Sequence, residues 1–116
     1  MGRPDTGAGM NINDIQASLE YLGETDEKYG TLKAHYMAEK ELLKSAYSLS
    51  FLETQTGSVE HRKAVSYSSA RYIQAVSDYR DACADYEILR AKRLSAELNI
   101  ELYRSLLSAK KQGIVL

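Results

Sequence analysis

The sequence predicts an all-α protein: an antiparallel hairpin of two long helices, with a short N-terminal helix and a short connecting helix, coiled-coil-like and oligomeric. Three observations predict it. Residues 69–113 contain no proline and no glycine before Gly113. Their apolar positions recur every seven residues, with a second set three residues on, a helical period rather than the alternation of a strand. The chain as a whole holds a single proline.

The elements follow in chain order. Residues 1–10 are polar and glycine-rich, and they read as a disordered segment in which Met10 fits a natural start preceded by a leader. Residues 11–113 read as one helical domain. Asn11–Leu22 reads as a short amphipathic helix with Ile12, Ile15, Leu19 and Leu22 on one edge. Asn13 is placed to cap it, Gln16 to close a capping box, and Gly23 to end it. Thr25 is then placed to cap a second helix running to about Thr54, with Asp26 and Glu27 in a first turn that favours negative charge. Its seam is Tyr29, Leu32, Tyr36, Leu43, Ala46, Tyr47 and Ser50, broadened by Met37, Leu42, Leu49 and Leu52. Gly30 costs up to ~1 kcal/mol against alanine inside a helix. It marks either a bend or a later helix start at Thr31.

Thr54-Gln55-Thr56-Gly57-Ser58 is the clearest break. Gly57 suits a left-handed helix end and Ser58 suits the cap of a short helix over Val59–Tyr67. Ser68-Ser69 breaks the chain again and caps the longest helix. Its seam is Tyr72, Ala75, Tyr79, Ala82, Tyr86, Leu89, Arg93, Ala96, Ile100, Tyr103, Leu107 and Lys110, widened by Val76 and Cys83. Asp78, Asp81 and Asp85 form an acidic face opposite it. Farther along, Leu94, Leu98, Leu102 and Leu106 step by four on the side away from Ile100 and Tyr103. A helix apolar on two opposite faces is normally buried on both. At about 60 Å it would also outrun any partner helix within the chain. Self-association is the simplest solution, with Leu94, Leu98, Ile100, Leu102, Tyr103, Leu106 and Leu107 as candidate interface residues.

Length and composition set the bounds. One domain and a modest core fit 116 residues, of which 44% are hydrophobic and 27% charged. No apolar run approaches the ~18–20 residues that cross a bilayer, and no signal-peptide pattern opens the chain, so no membrane is expected. Cys83 is the only cysteine, so no disulfide forms within the chain. That suits a reducing compartment, with Cys83 as a buried structural thiol. The net charge of −1 is uneven. Residues 1–60 carry ten acids against five Lys and Arg, whereas residues 61–116 carry six against ten. The basic half suits pairing with an acidic one, or an anionic partner.

Signals for chemistry are weak. His35 and His61 are the only histidines and neither sits in a metal-binding helix spacing. His35 faces Glu39 one turn on, the spacing of a surface contact. There is no glycine-rich phosphate loop, no Gly-x-Ser-x-Gly elbow and no multi-cysteine zinc pattern. The expectation is a non-enzyme without cofactor or metal. Two features fit nucleic acid. Arg62, Lys63 and Arg71 surround the short helix, with Tyr67 and Tyr72 interleaved, a pattern for phosphate contacts and base stacking. Alternatively these tyrosines pack the hairpin end. Arg90, Arg93, Arg104 and Lys111 fall on a narrow arc of the long helix. Arg93 takes a seam position, so it must snorkel, pair with Glu97 or an acid of a second chain, or face a ligand, and pairing within an oligomer is the favoured outcome.

The run Gly57-Ser58-Val59-Glu60-His61-Arg62-Lys63-Ala64, followed by Tyr72, then Tyr86-Glu87-x-Leu89-Arg90-x-x-Arg93 and Ile100-x-x-x-Arg104-Ser105, resembles small helical proteins of tailed bacteriophages. These often belong to replication and recombination regions. The layout over residues 29–107 is more distantly similar to the UvsY-type recombination mediators. The resemblance implies a helical oligomer that binds single-stranded DNA and helps a recombinase load in place of a single-strand-binding protein. It implies Arg62, Lys63, Arg90, Arg93 and Arg104 as DNA contacts, and a cytoplasmic location, in the host if phage-encoded. The acidic first half departs from a uniformly basic binder. The alternative expectation is a structural or protein–protein interaction module, including an inhibitor of a host protein, without nucleic-acid binding.

Overall fold

The computed structural model describes residues 11–113, so the expected disorder of residues 1–10 lies outside it. Among the described residues there are three α-helices and no strand: α1 (Ile12–Glu53), α2 (Val59–Ser68) and α3 (Ala70–Lys111). No helix among them is long and apolar enough to cross a membrane.

The separate N-terminal helix expected over Asn11–Leu22 does not occur, because α1 continues through Gly23 and Gly30 for 42 residues. The reason is an unbroken heptad. Ile15, Ser18, Leu22, Thr25, Tyr29, Leu32, Tyr36, Glu39, Leu43, Ala46 and Ser50 alternate steps of three and four, and all are buried or half-buried. Gly23 and Gly30 lie seven residues apart on the exposed side, where a Cβ would touch nothing within 4 Å. The helix therefore needs no side chain from either, and each costs only the ~1 kcal/mol of a solvent-side glycine. Thr25 is not a cap. Its hydroxyl donates to the Tyr21 carbonyl at 2.7 Å, one turn back inside the helix. The true cap is Asn11, two residues earlier than the expected Asn13. Its side chain accepts from the Asp14 N–H at 3.0 Å while the Asp14 carboxylate accepts from the Asn11 N–H at 3.3 Å. That is a reciprocal capping box built from Asn and Asp.

The turns fall where expected. Gly57 has φ +101°, and a Cβ there would run into the His61 ring. Ser58 accepts from the His61 N–H at 3.1 Å and starts α2. Ser69 both ends α2 and starts α3, its hydroxyl accepting from the Tyr72 N–H at 3.2 Å and donating to the Ser66 carbonyl at 2.8 Å.

The chain divides into two compact units, Lys28–Ile88 and a second formed by Met1–Glu27 with Leu89–Leu116. In the first, α1 and α3 meet through a tyrosine ladder. Tyr29 stacks on Tyr86 with ring centres 5.5 Å apart, and Tyr36 stacks on Tyr86 at 5.1 Å and on Tyr79 at 5.8 Å. Rising numbers on α1 thus meet falling numbers on α3. Ala82, 1% exposed, lets the helices approach between these rings. Each stacked pair adds about 0.5–1.5 kcal/mol beyond its area. Near α2, Tyr47 contacts Tyr67 and Tyr72, and Ser50 bonds Ser69 at 3.0 Å.

In the second unit the seam is Ile15, Ser18, Leu22 and Thr25 on α1 and Leu89, Arg93, Ala96, Ile100 and Tyr103 on α3, all buried or half-buried. α3 is 42 residues long, the same as α1. The expectation that α3 outruns every partner in its own chain is therefore corrected, since Gly23 does not shorten α1.

Candidate interaction surface

The basic residues singled out from sequence are mostly tied to the protein itself. Arg62 lies half-buried on α2, its guanidinium carbon 4.2 Å above the Phe51 ring and its Nη2 donating to the Phe51 carbonyl at 3.2 Å. The Arg62 Nε is buried without a hydrogen-bond partner. This group therefore anchors α2 to the end of α1 through a cation–π contact. Lys63 stands 3.8 Å from Glu60, and Arg71 donates to Glu53 at 2.9 Å. Arg104 pairs with Glu101 at 3.0 Å on the exposed side of α3. Arg90 is exposed on α3, and Lys111 is exposed in its last turn beside Lys110, where the helix dipole favours positive charge.

Arg93 is the decisive case. Its side chain is 12% exposed. One Nη donates to the Leu22 carbonyl at 2.9 Å and to the Thr25 hydroxyl at 2.7 Å, and the other to Asp26 at 2.6 Å. The pairing acid is therefore Asp26 of the same chain, not the expected Glu97 or an acid of a second chain. Arg93 thus points into the seam, whereas Arg90 and Arg104 are exposed, and the expected arc does not form a single exposed track.

The expected apolar face of α3 divides in two. Ile100 and Tyr103 are half-buried in the seam with Arg93 and Ala96, and Leu106 is half-buried. Leu94, Leu98 and Leu102 are 47%, 59% and 51% exposed, and Leu107 is 41% exposed. Burial beyond the seam is thus absent within one chain for the three leucines that step by four.

A second uncovered face was misassigned from sequence. Met37, Leu42, Leu49 and Leu52 do not broaden the seam of α1. They are 55%, 55%, 49% and 67% exposed. The signal was present: Leu42, Ser45, Leu49 and Leu52 form a heptad of their own, offset by one residue from Leu43, Ala46 and Ser50. Only α2 and α3 could decide which of the two points inward.

Two tyrosines have altered acidity. The Tyr36 hydroxyl is held above its ordinary value of 10.0 by hydrogen bonding to Tyr79 and by repulsion from the Tyr79 phenolate, with desolvation adding to both. Tyr47 is raised by burial and then by Tyr67. His35, on the exposed side of α1, lies 3.2 Å from Glu39, whose side chain is largely covered at its seam position. Among the described residues no three His, Cys, Asp or Glu are gathered to hold a metal. Comparison with protein families, curated proteins and solved structures finds no match to this chain.

Proposed function

We propose that this protein is a non-enzymatic helical interaction module, an antiparallel hairpin of α1 and α3 that works as a homo-oligomer. The observation that carries this reading is the exposed row Leu94, Leu98 and Leu102 on the side of α3 away from Arg93 and Ala96. Burying each leucine fully would contribute about 1–2 kcal/mol, given that half of its surface is already covered. The anchored guanidinium groups of Arg62 and Arg93 support the same reading, because both are spent on holding helices together. Light scattering tests it: the wild type is expected as a multiple of the 13.0 kDa chain, and Leu98→Glu is expected to reduce that mass. An unchanged mass would remove this face from the interface.

The second reading is a phage-type mediator that binds single-stranded DNA in the host cytoplasm and assists a recombinase or single-strand-binding protein. Lys63 and Tyr67 favour it, since both are exposed one turn apart on α2. It requires oligonucleotide affinity that falls steeply with added salt, as counterions are released. It also requires a loss of affinity in Lys63→Ala without a change of mass. No binding at low salt rejects it.

A further inference from the structure

Two exposed apolar faces need covering. On α1, Ala38, Leu42, Ser45, Leu49 and Leu52 are all exposed and follow one another at helical spacing. On α3, Ala91, Ser95, Leu98 and Leu102 are exposed and Leu106 is half-buried. The two rows have nearly the same length, about 21–22 Å at the helical rise. Laid side by side in opposite directions, they place Ala38 by Leu106, Leu42 by Leu102, Ser45 by Leu98, Leu49 by Ser95 and Leu52 by Ala91. Four of these five pairs set a leucine against a small residue, the knob-and-hole alternation that lets helices close to about 8–10 Å. The α3 row packed antiparallel on a second α3 row would also set Ser95 by Leu102 and Ala91 by Leu106, but it would place Leu98 on Leu98 and leave the α1 row uncovered.

Charge agrees with the same register. Lys44 comes beside Glu101 on one flank, and Glu53 beside Lys92 on the other. Within the chain Lys44 pairs with Glu41, Glu101 with Arg104 and Glu53 with Arg71. All three are exposed pairs, which exchange partners at little cost.

We propose that the α1 row of one copy docks antiparallel on the α3 row of a second copy, so that the contact between copies is head-to-tail. This deepens the homo-oligomer reading and rests on it. Both rows are exposed in the single chain, so the pairing belongs to two chains. A contact between unlike surfaces leaves one row unused on each end of the pair, and it propagates to a ring if the rotation closes or to a longer assembly if it does not.

The test uses two surface variants of the full chain, Leu42→Glu and Leu98→Glu, each checked for unchanged helix content by circular dichroism. Sedimentation velocity is expected to show each variant alone as a single chain, with self-affinity weakened at least ten-fold. An equimolar mixture should form particles of two chains and no larger, because each variant supplies the row that the other lacks. Assembly of Leu42→Glu like the wild type, with Leu98→Glu dissociated, would overturn the proposal in favour of α3 pairing with itself and leave the oligomer reading standing. A wild type that stays a single chain at all concentrations would sink both. Charge offers a second check: Lys44→Glu should weaken assembly several-fold and Lys44→Glu with Glu101→Lys should restore it. Failure of the double variant to recover would overturn the register.

Discussion

Replacing Arg93 separates a structural arginine from a ligand-binding one. Arg93→Ala loses the hydrogen bonds to the Leu22 carbonyl, the Thr25 hydroxyl and Asp26. They are not equal. Asp26 is 68% exposed, so its ion pair contributes no more than ~1 kcal/mol. Thr25 keeps its bond to Tyr21 when the arginine leaves, and Leu22 keeps a place in the helix ladder, so neither becomes an orphan. The bonds from the cation to these two groups contribute about 1–2 kcal/mol together, and loss of the buried stem about 1 kcal/mol more. Arg93→Ala is therefore expected to lose roughly 2–4 kcal/mol, whereas Arg93→Met, which keeps the stem, should lose about 1 kcal/mol less. Urea unfolding measures both. Hydrogen exchange should place the loss in residues 14–27 and 89–105, where the bonds lie. Equal stability of Arg93→Ala and the wild type would refute the reasoning, and a simultaneous fall in oligonucleotide affinity would return Arg93 to the ligand-binding set.

Three other changes test separate parts of the structure. Gly23→Ala should stabilise the protein by up to ~1 kcal/mol, because the position is helical and open; a destabilised protein in thermal unfolding would mean that α1 is interrupted there. Gly57→Ala should cost at least ~1 kcal/mol from its positive φ and from contact with His61, and an unchanged urea midpoint would count against the turn. Tyr36 binds its proton more tightly folded than unfolded, so its contribution is complete below 10.0 and is lost as pH rises above it. Thermal unfolding followed from about pH 9 to 11.5 should fall less steeply for Tyr36→Phe than for the wild type; identical slopes would contradict the Tyr79 interaction.

Much of the fold was legible because its signals are local. The left-handed turn at Gly57 and the caps from Ser58 and Ser69 to the N–H three residues on are set within one helical turn, and the heptad from Tyr72 to Tyr103 is visible without any partner. The misplaced break at Gly23 came from weighing one glycine above a seam that continues on both sides of it. Ser18 and Thr25 hold seam positions there, and their small polar side chains hid the repeat that Ile15, Leu22 and Tyr29 begin. The candidate site was less legible, since its outcome depends on contacts distant in sequence. Asp26 and Arg93 are 67 residues apart, and no spacing within α3 tells that the arginine turns toward α1. The outward turn of Leu42 and Leu49 likewise depends on where α2 and α3 lie.

In the proposed assembly the uncovered leucines find a second chain. The mass of the wild-type protein in solution, measured by light scattering across a dilution series, tests that most directly. A particle of two or more 13.0 kDa chains that dissociates on dilution is predicted. A monodisperse single chain at every concentration would contradict it.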